Sequence, residues 1–66
     1  MKEALFKEAI KSLPFEAKKW LIADWQAIDE MLQAKLISPD FAEAEYDSLL
    51  LEAEEAKTLM AKKENQ

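Results

Sequence analysis

The sequence predicts an all-α protein, a short N-terminal helix followed by a long antiparallel helical hairpin. Three observations carry that prediction. The chain has 66 residues, half of them hydrophobic and mostly Ala and Leu, with no Gly, Cys, His, Arg or Val. Ala, Leu, Glu, Lys and Gln lose little on entering a helix, and the β-branched residues that suit strands are nearly absent. Apolar residues also recur at spacings of three and four, and Pro14 and Pro39 divide that pattern into three stretches.

The first stretch, "KEALFKEAIKS", places Leu5, Phe6, Ala9, Ile10 and Leu13 on one helical face, and Glu3 precedes Lys7 by four residues in the favourable orientation. A helix over 2–12 is expected. It stops near Ser12 because Pro14 pushes Leu13 out of the α region and lacks a backbone donor.

Pro14 suits the first turn of a second helix, expected over 14–36. Its central stripe is Ala17, Leu21, Trp25, Ile28, Leu32 and Leu36, flanked by Trp20 and Met31 on one side and by Phe15 and Ile22 on the other. Trp20 and Trp25 lie about 140° apart on the helical wheel, so one neighbour cannot bury both.

"ISPD", residues 37–40, opens a third helix, expected over 39–62. Ser38 can cap it, Pro39 fits its first position, and Asp40 favours the positive end of its dipole. Ala42, Tyr46, Leu49, Ala53, Ala56 and Met60 form a coiled-coil-like seam whose alanines let two backbones approach closely. Lys57, Lys62 and Lys63 lie towards the negative end, and the tail 63–66 is expected to fray.

Helices two and three, each of about 23 residues or roughly 35 Å, become antiparallel neighbours through a short connection. The first helix, under half that length, folds back from Leu13 beside the N-terminal half of helix two and the C-terminal half of helix three. In "DSLLLEAEEAK", residues 47–57, Leu49 then belongs to the seam and Leu50 to the short helix. Leu51 is left at the edge among Asp47, Glu54 and Glu55. The loop end, with Met31, Phe41 and Tyr46, is expected to have only two helices to cover it.

A domain this small buries roughly 60% of the surface its unfolded chain exposes. Without Cys or His it has neither a disulfide nor the usual zinc ligands to staple it. Helix packing, self-association or a partner must supply the rest. Neither a signal-peptide pattern nor an apolar run near 18 residues is present, which makes a cytoplasmic protein the expectation.

The net charge is −5, and it is unevenly spread. Ten carboxylates lie between Asp24 and Glu55 against the single Lys35, while Lys2, Lys7, Lys11, Lys18 and Lys19 gather near the start. Such a field repels phosphate backbones, so direct nucleic-acid binding is not expected.

Catalysis by a nucleophile needs an activated Ser, Cys, Thr or Lys beside a base. Here Ser12 and Ser38 sit at helix boundaries, where capping explains them. Carboxylate pairs such as Glu43 with Asp47 read as a solvated helix face, because no Gly-bearing calcium loop accompanies them. A di-iron bundle would require Glu-x-x-His. The expectation is therefore a non-enzyme with no cofactor, no metal and no small-molecule substrate.

What remains is binding. Asp40, Glu43, Asp47 and Glu54 share one side of helix three and, with Leu51 and Glu55, form an apolar centre ringed by charge, the anatomy of a docking patch for a basic protein. Trp20 and Met31 join this set of partner-binding candidates. Two other readings stand beside it: a homodimer in which two hairpins bury Trp20, Met31 and Leu51 as a structural or adaptor module, and a DNA mimic that inhibits a nucleic-acid-binding protein.

"LFKEAIKSLPFEAKKWLIADWQAID", residues 5–29, resembles the N-terminal segment of small bacterial addiction-module antitoxins. In that family a helix, a Leu-Pro step, an acid, a base and spaced leucines follow in order, matched here by Leu13, Pro14, Glu16, Lys18 and Leu21. Trp25 stands where the family usually has an aliphatic residue. The family's later Arg-bearing and Gly-bearing segment has no counterpart here. The resemblance implies a regulator that neutralises a basic toxin through helical contacts.

Overall fold

The computed structural model describes residues 2–64. Three helices follow in order, α1 (Lys2–Ile10), α2 (Phe15–Gln33) and α3 (Pro39–Glu64), and all regular structure among the described residues is helical. The protein is a small helical bundle with extents of 45 × 19 × 14 Å, the long dimension set by the 26 residues of α3. α3 is its central rod, since the close backbone approaches are those of α1 and of α2 to α3.

The boundaries differ from those expected over 2–12, 14–36 and 39–62, each for a local reason. α1 stops at Ile10 because the next amides turn back over three residues, Lys11 to the Glu8 carbonyl and Leu13 to that of Ile10. Pro14 is extended, at φ −60° and ψ 153°, so it is the N-cap of α2 and not its first turn. Its carbonyl accepts from the amides of Ala17 and Lys18, and no side chain, Ser12 included, caps this end.

α2 ends at Gln33, three residues short of the expected Leu36, because Lys35 takes the left-handed conformation at φ 62°. The Lys35 amide donates to the Leu32 carbonyl and the Leu36 amide to that of Met31, which is the Schellman pattern normally closed by glycine. In a chain without glycine a lysine carries that strain. Leu36, placed on the buried stripe by the helical spacing, is exposed as a result.

α3 begins as its residues dictate. The Ser38 hydroxyl accepts from the Phe41 amide at 3.1 Å, Pro39 is the first helical residue, and Asp40 lies in the first turn. At the other end the helix includes Lys63 and Glu64, two residues beyond the expected end; residues 65 and 66 of the expected frayed tail lie outside the described residues.

The core is built from Phe6, Ala9, Ile10 and Leu13 against Trp25, Ile28, Ala42, Leu49 and Ala53, all buried. Ala9 and Ala53 are almost wholly enclosed, and such small side chains allow two helix axes to come close. A stack of three rings, one from each helix, joins the layers. Phe6 lies 4.3 Å from Trp25 at 21°, and Trp25 lies 4.4 Å from Tyr46 at 32°, centroid to centroid.

Candidate functional site

A third helix can cover only one side of a helical hairpin, and α1 does so. Lys2 of α1 bridges Glu43 and, at 2.8 Å, Asp47 of α3, while the Tyr46 hydroxyl donates to Asp29 of α2. The two carboxylates hold the Lys2 pKa above its ordinary value, Asp47 more than Glu43. Burial, and then the bond to Asp29, pushes the Tyr46 phenol up to about 12.

These contacts correct two expectations. α1 is not confined to the C-terminal half of α3, where Ala53 shares the core with Ala9 and Leu13, but reaches Glu43 and Asp47 in its N-terminal half. Tyr46 packs on Trp25 and bonds Asp29 of α2, and Lys2 and Glu3 of α1 line the same hollow, so three helices meet around it instead of two.

The other side of the hairpin is open. A shallow trough runs between α2 and α3 alone, lined at one end by Ile28, Met31, Ser48 and Leu49 and at the other by Ala17, Trp20, Leu21, Ala56 and Leu59. Its floor is apolar because Ile28 and Leu49 belong to the core and Leu21 and Ala56 pack against it. Its edges carry carboxylates: Asp24 from α2, and Glu45, Glu52 and Glu55 from α3. The ion pairs among the described residues join Lys2 to Glu43 and Asp47, Lys7 to Glu3, and Lys19 to Glu16, so these four acids are not engaged in them.

Large apolar side chains stand at the rim. Trp20 is 67% exposed, Leu51 60% and Leu59 64%, whereas Trp25, five residues from Trp20, is 7% exposed. The Lys19 ammonium sits 5.6 Å from the Trp20 ring centre and 5.9 Å from that of Phe15, within cation–π range of both. The leucine triplet divides three ways: Leu49 is buried, Leu50 half-buried and Leu51 exposed.

The residues picked out from the sequence fall into two groups. Trp20, Met31, Leu51 and Glu55 line the open trough, and Glu54 lies beside it with Glu55, Thr58 and Leu59. Asp40, Glu43 and Asp47 lie elsewhere on α3, Asp40 exposed in its first turn and the other two beneath Lys2. Sequence reasoning missed Asp24, Glu45, Glu52 and Leu59. The spacing of seven between Glu45 and Glu52 was an available signal, since it sets them on one edge of a helix.

Chemically, the trough offers recognition, with apolar surface to bury and fixed negative charge on either side. Among the described residues no group of three or more acids converges as metal ligands, and no helix is long and apolar enough to cross a membrane. A scan against family models and searches of curated proteins and of solved structures found no match to this chain.

Proposed function

We propose that the protein is a small acidic, non-catalytic binding module, a regulator or inhibitor that docks a basic protein through α3 and the trough beside it. The observation that carries this reading is the conjunction of exposed Trp20, Leu51 and Leu59 with Asp24, Glu45, Glu52 and Glu55 around one apolar floor. Apolar area supplies affinity, and the carboxylates supply steering and choice of partner. Under this reading a basic toxin, the partner implied by the antitoxin-like segment 5–29, is one candidate. The cytoplasm is the proposed location.

The homodimer reading draws on the same exposed side chains but meets an obstacle. A two-fold contact through the trough would set Glu45, Glu52, Glu55 and Asp24 of one copy against the same acids of the other. Sedimentation at micromolar concentration separates the readings, a monomer being expected. Capture from the protein's own cell extract, repeated with Leu51→Asp and with Glu52→Lys, should retain a basic protein that high salt releases and that both variants lose. Retention unchanged by salt and by both substitutions would refute the proposal.

A further inference from the structure

The molecule already contains one example of a helix bound by this hairpin, which is α1. It lays Phe6, Ala9 and Ile10, positions i, i+3 and i+4, against α2 and α3, the turn after it adds Leu13 at i+7, and Lys2 sits over two acids of α3. The open trough repeats those terms on the other side, with an apolar floor and carboxylates on α3. It runs from Ala17 to Met31 on α2 and from Glu45 to Leu59 on α3. Either span is 14 helical steps, about 21 Å at the helical rise, or four turns.

We infer that the occupant of the trough is a four-turn amphipathic helix of a partner protein, built like α1, with an i, i+3, i+4, i+7 apolar stripe and Lys or Arg along the edge that meets Glu45, Glu52 and Glu55. This inference rests on the binding-module reading above and specifies its ligand. Charge decides between possible occupants. A second copy brings acids to acids, and an extended basic segment leaves the floor uncovered, whereas a helix with a basic edge satisfies both parts of the trough. The seven-residue spacing of Glu45 and Glu52 equals two helical turns, so a partner helix lying along α3 meets both with bases placed seven apart.

The test uses the intact protein, ¹⁵N-labelled, and three synthetic peptides. The probe is a copy of residues 1–14 carrying Glu3→Lys and Glu8→Lys, which keeps the α1 stripe and makes the edges basic. The second peptide has the same composition in scrambled order with a central proline, and the third has every lysine of the probe replaced by glutamate. The probe is expected to shift the amides of Ala27, Met31, Leu51 and Glu52 and the Trp20 indole. Binding should weaken by about tenfold or more in the Glu52→Lys, Glu55→Lys double variant, whose fold is checked by circular dichroism.

If the scrambled peptide binds the trough as tightly as the probe, the helical ligand is wrong while the basic-partner reading survives. If the glutamate peptide binds as tightly, charge does not select the ligand and both fail. Both also fail if no basic peptide moves the trough resonances. Shifts confined to Trp25, Tyr46 and Leu50 would mean that the probe replaces α1 on the covered side, which also overturns the inference.

Discussion

The two sides of the α2/α3 hairpin are made from the same kinds of residue and have opposite fates. On the covered side Trp25 lies between Phe6 and Tyr46, and the acids Glu43 and Asp47 are bridged by Lys2. On the open side Trp20 is largely in water, and Glu45, Glu52 and Glu55 take part in none of the ion pairs among the described residues. The difference is a nine-residue helix. It teaches that neither an indole nor a carboxylate on this hairpin is intrinsically core or surface, because the presence of a third helix decides which it becomes.

The two sides differ most in what their tryptophans contribute to stability. Trp25→Ala removes the middle ring of the stack and should cost about 3–5 kcal/mol, enough to unfold much of a domain this small. Trp20→Ala should change stability by less than about 0.5 kcal/mol. Urea denaturation followed by circular dichroism measures both, and equal losses would erase the distinction between the sides.

A gentler version adds bulk instead of removing it. Ala53, with no exposed surface, faces the core of the bundle, so Ala53→Leu should cost about 1–3 kcal/mol by overpacking. Ala27→Leu, exposed in the trough, should be nearly neutral in the same measurement.

Much of the covered side was legible in the sequence, because periodicity reports which residues share a face. The seam from Ala42 to Met60 is the face that α3 turns to the core, and the Ser-Pro-Asp start of α3 caps as its residues demand. The leucine triplet divides as a 100° step requires. Register is another matter. Nothing in the spacing says that Lys2 meets Glu43 and Asp47, because that pairing follows from how Phe6, Trp25 and Tyr46 interlock and from the close approach that Ala9 and Ala53 permit.

The wheel separates Trp20 from Trp25 and sets Trp25 on the central stripe with Trp20 on its flank, and Trp25 is the one that is buried. The trough was half legible: Trp20, Met31, Leu51 and Glu55 could be named as unsatisfied, but its acidic edge at Glu45 and Glu52 depends on where α1 does not lie.

The end of α2 was hidden for a different reason. A helix stop is normally marked by glycine, and here Lys35 occupies the left-handed position. Since that conformation costs a non-glycine residue about 1 kcal/mol, Lys35→Gly should stabilise the protein by roughly that amount in thermal or urea unfolding. The turn serves both sides of the hairpin equally. Probe binding in the trough and the Tyr46 titration should therefore stay as they are, and a change in either would show that the sides are coupled through the connection.

The subtlest difference between the sides lies at alkaline pH. Tyr46 is the chain's one tyrosine, so its ionisation can be followed without ambiguity by near-ultraviolet absorbance. Below about pH 10 the phenol is protonated in both the folded and the unfolded chain, and its contribution to stability is complete. Above pH 10.0, the ordinary value, the unfolded chain loses the proton first, while the folded chain retains it up to about 12. Stability must therefore fall across that interval and level off beyond it.

Lys2 acts in the same direction. Its raised pKa means that the bridge to Asp47 and Glu43 is complete below 10.5 and is lost as pH rises through the folded value. Tyr46→Phe should flatten the alkaline decline and, by deleting the bond to Asp29, lower neutral-pH stability by about 1 kcal/mol. Glu52→Gln, on the open side, should leave the alkaline profile as it is. A folded protein whose tyrosine ionises near 10 would mean that Tyr46 is neither buried nor bonded to Asp29, and the covered side would then be as open as the other.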